Sequence, residues 1–233
     1  MPRVSRPASM QLSKRPPGNL NVDARLHREE IANVVTHGIG VLLAIGGGAV
    51  LITLVSIHAG VREIVSAAVF TVTLVLLYTA STLYHAARDE RLKARLKVLD
   101  HCAIFLLIAG TYTPFTIAAL RGGWGWSLFG VIWGMAVAGI VFKLFFTGRF
   151  RFLSTAMYIG MGWLVLVALV PLVEALTPGG LAWLVTGGAL YTLGTLFYHR
   201  ESLPYSHAIW HGFVLAGSAC HFVAVSVEML TAR

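Results

Sequence analysis

The chain has 233 residues, of which 57% are hydrophobic and only 12% charged, with a formal net charge of +8. A soluble domain carries about 25% charged residues; this chain cannot cover a water-facing surface, and its composition makes it an integral membrane protein. The excess of Lys and Arg sits in the N-terminal stretch and in loops between apolar runs, so topology explains it and a nucleic-acid partner is not expected.

The first residues are rich in Pro, Ser, Arg and Lys and contain no apolar core region. A cleavable signal peptide is therefore not expected, and residues 1–28 read as a disordered basic cytosolic tail. Residues 29–233 form one membrane domain. Its seven apolar segments run Ala32–Ser56, Ile64–His85, Val98–Leu120, Trp124–Phe146, Phe152–Val173, Leu181–Tyr198 and Ser206–Leu230. Each is long enough to cross about 30 Å of hydrocarbon at about 1.5 Å per residue. The expected fold is all-α, a seven-transmembrane helix bundle whose short connections make sequence neighbours antiparallel neighbours in space.

Counting basic residues orients the bundle. Fifteen of the eighteen Lys and Arg fall in the N-terminal stretch and in the second, fourth and sixth connections; Arg62, Arg121 and Arg233 lie on the other side. The positive-inside rule places the N-terminus in the cytosol and the C-terminus outside. In the third span, Thr113-Pro114 predicts a kink. Gly130, Gly134 and Ala138 in the fourth span, and Gly46-Gly47-Gly48 in the first, read as close helix contacts. Cys102 and Cys220 fall within different spans and read as packing residues, with no disulfide framework.

In the seventh span, His207 and His211 stand four residues apart in an apolar run. That spacing stacks both imidazoles on one helix face, as a helix does when it offers two nitrogens to one metal ion. Topology brings further groups to the same depth: His85 at the cytosolic end of the second span and Asp100 at the start of the third. Three imidazoles are a common catalytic zinc set with a fourth position left for water. Asp100 can accept a hydrogen bond from that water or orient an imidazole. Ser81, one turn from His85 on the same face, can bond Asp100 or a substrate carbonyl, or bond back to its own helix. Glu30, Asn33 and His37 form a polar stripe on the first span that points to a supporting or substrate-contacting role. His101 points about 100° away from Asp100, and His221 lies about 15 Å beyond His211, too far for the same ion.

With Glu29-Glu30-Ile31-Ala32-Asn33, Thr36-His37-Gly38, Ser81-x-x-x-His85, Leu99-Asp100-His101 and His207-x-x-x-His211 in order, the chain resembles the hemolysin III branch of the progestin and adipoQ receptor superfamily. The resemblance covers nearly the whole chain from about Glu29. It implies zinc (Zn2+) held on the cytosolic side by His85, His207 and His211, with Asp100 near the metal's water and Ser81 as the family serine. Related members are amide hydrolases acting on ceramide-type lipids, and the bacterial branch is named for haemolysis and linked to lipid homeostasis. The leading expectation is a zinc-dependent hydrolase of lipid amides or esters in a bacterial inner membrane, with membrane lipids as partners. The alternatives are a hemolysin III-type cytolysin or pore former, a membrane-state sensor with structural zinc, and a haem-binding cytochrome.

Overall fold

A computed structural model describes residues 20–231 apart from Arg121 and Glu201, with side chains from Ala24 onward. The first nineteen residues of the tail expected above lie outside the described residues. The first helix begins at Leu20, inside the stretch assigned to that tail, and an Arg25–Glu29 pair at 3.6 Å spans one of its leading turns.

Every element among the described residues is helical. The α-helices are α1 (Leu20–His58), α2 (Val61–Ala86), α3 (Glu90–Thr113), α4 (Gly122–Phe146), α5 (Arg151–Trp163), α6 (Leu169–Ala175), α7 (Pro178–Tyr198) and α8 (Ser206–Thr231). Seven helical spans are long and apolar enough to cross a membrane, α5 and α6 together making the fifth. The starts of α3 and α7 are set by side chains: Asp89 accepts from Leu92 N at 2.8 Å, and Thr177 accepts from Gly180 N at 3.0 Å ahead of Pro178. Consecutive spans pack side by side, and α8 returns to α1 to close the ring. The third span is the most enclosed.

Two spans depart from regular α geometry, each next to a proline. Pro114 has no N–H to give Gly110, and the chain continues as a π-helix over Pro114–Leu120. Thr116 Oγ bridges the carbonyls of Tyr112 and Thr113 there, and Trp133 Nε1 donates to Thr113 Oγ. The kink expected at this dipeptide thus takes the form of a widened turn. In the fifth span, α5 and α6 are separated by 3₁₀ turns over Leu164–Ala168, ahead of Pro171. Tyr112 OH staples that break: it donates toward Met161 and Gly162 carbonyls at 2.8 and 2.9 Å and accepts from Val165 N at 2.8 Å.

Close approaches fall on glycines facing large neighbours. A Cβ at Gly139 would meet the Phe105 ring, one at Gly40 the Tyr78 ring, and one at Gly48 the Thr71 side chain. The face of Gly130, Gly134 and Ala138, expected to make helix contacts, is open instead: all three are exposed, and nothing lies within 4 Å of a Cβ built at Gly130 or Gly134. The opposite face of α4, carrying Ile132, Ala136, Gly139 and Lys143, turns inward and claims the packing.

Candidate metal centre

The ends of α2 and α3 joined by residues 87–89, and the start of α8, meet at one end of the bundle, the end that carries the basic connections. His207 and His211 stand one turn apart on α8 with ring centroids 4.6 Å apart. His85, in the last turn of α2, lies 5.0 Å from each of them. One nitrogen from each of the three rings falls within 4.8 Å of the others. His85 and His211 are buried, at 6% and 2% exposure.

Neighbouring groups decide which nitrogens are open. Glu30 Oε2 sits 2.6 Å from His85 Nδ1. A carboxylate only accepts, so Nδ1 carries the proton and Nε2 is left as a bare lone pair. The Asn33 carboxamide lies 3.3 Å from the same Nδ1, and Lys93 donates to the other Glu30 oxygen at 2.6 Å. His85 Nε2 and His211 Nδ1 are both buried without a hydrogen-bond partner. Orphaned buried nitrogens cost stability unless something binds them. Three convergent imidazoles with open lone pairs form the donor set that a zinc ion takes.

His37 completes the stack. Its ring lies parallel to His211, 3.5 Å between centroids and 9° between planes, and its Nδ1 is 2.7 Å from Ser81 Oγ. Ser81, at 1% exposure, therefore bonds across to α1 and not back into its own helix. Asp100, with its side chain 14% exposed, faces Ser81 and His85. Its contact with His101 is long, 3.5 Å, because His101 Nδ1 donates to the Lys97 carbonyl at 2.8 Å. Outside the spans, His199 stacks on Phe152 at 4.5 Å and meets Thr155 Oγ at 3.0 Å. Burial, and then the nearby Arg151, hold it below the usual imidazole range. It takes no part in the cluster.

The centre opens onto a cavity of about 190 Å³. His37, Ser81, Asp100, His207 and His211 line its polar end, and Ile104, Leu107, Phe115, Leu181 and Val214 line its body. Leu166, Leu169 and Val185 also border it while remaining 51%, 46% and 50% exposed on the outer face. The cavity thus approaches the lipid-facing surface between the fifth and sixth spans. An apolar chamber ending at convergent polar groups suits a ligand with a long apolar body and one polar head.

Of the groups anticipated above, His85, His207, His211, Asp100 and Ser81 come together here, with Glu30, Asn33 and His37 beside them. The lysine that holds Glu30 from the far side, Lys93, was not anticipated. Its only sequence signal was a lone position in a basic loop.

Residues 25–222 match the model of the family described as Haemolysin-III related. The chain is similar to Hemolysin-3 of Bacillus cereus, 49% identical over 203 residues that cover 87% of this chain and 93% of that protein. It is likewise similar to a Hemolysin-3 homolog of Bacillus subtilis, 48% identical over 198 residues covering 85% of this chain and 93% of that one. A more distant relative is the Homo sapiens Monocyte to macrophage differentiation factor, 27% identical over 205 residues covering 84% and 83%.

Proposed function

The chain belongs to the Haemolysin-III related family, a multi-pass bacterial membrane protein with seven apolar helices, and we propose that it is a zinc-dependent hydrolase of lipid amides or esters whose metal centre faces the cytosol. The observation that carries the reading is the set of buried imidazoles with unpartnered nitrogens at the polar end of an apolar cavity. His85, His207 and His211 hold the ion. When bound, zinc supplies a Lewis acid for the carbonyl and lowers the pKa of water.

The chain's own residues supply the rest. Glu30 fixes His85 in the tautomer that leaves Nε2 free and sets the ring's direction. Lys93 holds Glu30 in place from the first turn of α3. Asp100 takes the proton of the attacking water on a carboxylate oxygen and returns it to the leaving amine or alcohol. Ser81, fixed by His37, presents its hydroxyl beside Asp100 and the reacting carbonyl. The apolar body of the cavity binds the acyl chain and excludes bulk water. The basic end faces the cytosol by the positive-inside rule.

The test is hydrolysis of a panel of acyl amides and esters by purified, zinc-loaded protein, with Asp100→Asn as control. Turnover by the wild type that the variant loses supports the reading; a metal-loaded wild type inert on the whole panel refutes it. A second reading, a cytolysin, is favoured by the names of the two Bacillus relatives. It predicts dye release from liposomes by wild type and Asp100→Asn alike.

A further inference from the structure

Away from the metal end, the polar groups bordering the cavity are nearly all spoken for. Tyr112 OH is used by the break in the fifth span. Thr116 bonds back to its own helix. Trp163 Nε1 donates to Thr192 Oγ at 3.0 Å, and Tyr191 OH pairs with Ser218 Oγ at 2.6 Å. Two groups are different. His221 Nε2 meets the Leu184 carbonyl at 3.1 Å. A carbonyl only accepts, so Nε2 carries the proton and Nδ1 is an acceptor. That Nδ1 has no partner among the described residues, and it is not sealed in protein; it borders the cavity. Thr111 Oγ is in the same position, a hydroxyl on the cavity wall without a partner among the described residues.

These two groups share a depth. Thr111 follows Asp100 by eleven residues on the third span, and His221 follows His211 by ten on the seventh. Both helices run away from the metal end, so each group lies about 15 Å from it. The His221 ring is placed there by the fold. A Cβ at Gly187 would collide with it, the Leu184 bond fixes its plane, and Tyr191 flanks it at 5.4 Å. Gly217 in turn makes room for the Tyr191 ring.

We infer that Thr111 and His221 form a second polar subsite, deep in the cavity, that binds a hydroxyl borne along the chain of a lipid. A hydroxyl carries both complements, a proton to donate to His221 Nδ1 and lone pairs to accept from Thr111 Oγ–H. A ketone accepts only and leaves His221 unpaired; a plain alkyl chain leaves both unpaired. The assignment of the cavity to a lipid chain rests on the proposed function, but the subsite is read by binding, without turnover.

The experiment is a one-pot competition. Detergent-purified protein is incubated with an equimolar mixture of stearate and its mid-chain hydroxy and oxo derivatives, washed, and the retained fatty acids are quantified by mass spectrometry. Thr111→Val and His221→Phe are run beside it, so that micelle partitioning cancels in the ratio. The hydroxy-to-stearate ratio should be about tenfold higher on wild type than on Thr111→Val, at equal stearate retention, with oxostearate, which pairs Thr111 alone, falling between the two. His221→Phe should behave as Thr111→Val does. A ratio equal in all three proteins, or no fatty acid retained by any, overturns the subsite. Metal content and hydrolysis are measured on the same samples. Hydroxyl preference without turnover leaves the subsite standing and fails the hydrolase reading; turnover without preference does the reverse.

Discussion

Replacing Glu30 tests how the centre is held. Its carboxylate is 2.6 Å from His85 Nδ1 and 2.6 Å from Lys93 Nζ, and its side chain is 38% exposed. A carboxylate behind a metal-bound imidazole is worth roughly tenfold to a hundredfold in metal affinity. Partial exposure weakens the electrostatic share, which places Glu30→Gln near the lower figure, since the amide oxygen can still accept from Nδ1. Glu30→Ala loses the acceptor outright and should approach the upper one, about 2.7 kcal/mol at 25 °C. Lys93→Met leaves the Glu30–His85 bond intact and should cost less than about fivefold, as a partly exposed ion pair contributes at most about 1 kcal/mol. Zinc affinity is measured by chelator competition on purified protein at fixed pH. Unchanged affinity in Glu30→Ala would refute the claim that this carboxylate sets the tautomer and direction of His85.

Asp100→Asn should keep metal near the wild-type level and lose at least a hundredfold in turnover, read by metal analysis and hydrolysis of the same sample. Tyr112→Phe strips the bonds that staple the fifth-span break and leaves the Val165 N–H without its acceptor, at about 1–3 kcal/mol; its thermal unfolding midpoint should fall clearly below that of wild type. Gly139→Leu drives a side chain into the Phe105 ring where α4 meets α3, and overpacking of this kind costs about 1–3 kcal/mol. Gly134→Leu, on the open face of the same helix, should leave the monomer's midpoint nearly unchanged.

The seven spans were legible because each is a long apolar run bounded by charged or glycine-containing links, and length against bilayer thickness leaves little choice. The convergence of His85, His207, His211 and Asp100 was legible for a related reason: helix rise and alternating direction determine depth. Rotation about each helix axis was not. The Gly130, Gly134 and Ala138 face looked like a packing seam by spacing alone, yet Gly139 on the other side accommodates Phe105 and turns that seam outward. His37 lay in a visible polar stripe, but its stacking on His211 and its bond to Ser81 depend on how α1 is rotated against α2 and α8. Pro114 announced a distortion without saying that it would widen into π turns. The break before Pro171 depends on Tyr112, a residue some fifty positions away whose hydroxyl no local pattern marks.

The most direct measurement is metal content by plasma mass spectrometry on protein purified without chelator, wild type beside His207→Ala. The account predicts about one zinc per wild-type chain and its loss from a variant that remains folded and monodisperse. A wild type without stoichiometric metal, or a His207→Ala variant that retains it in full, would contradict the centre formed by His85, His207 and His211.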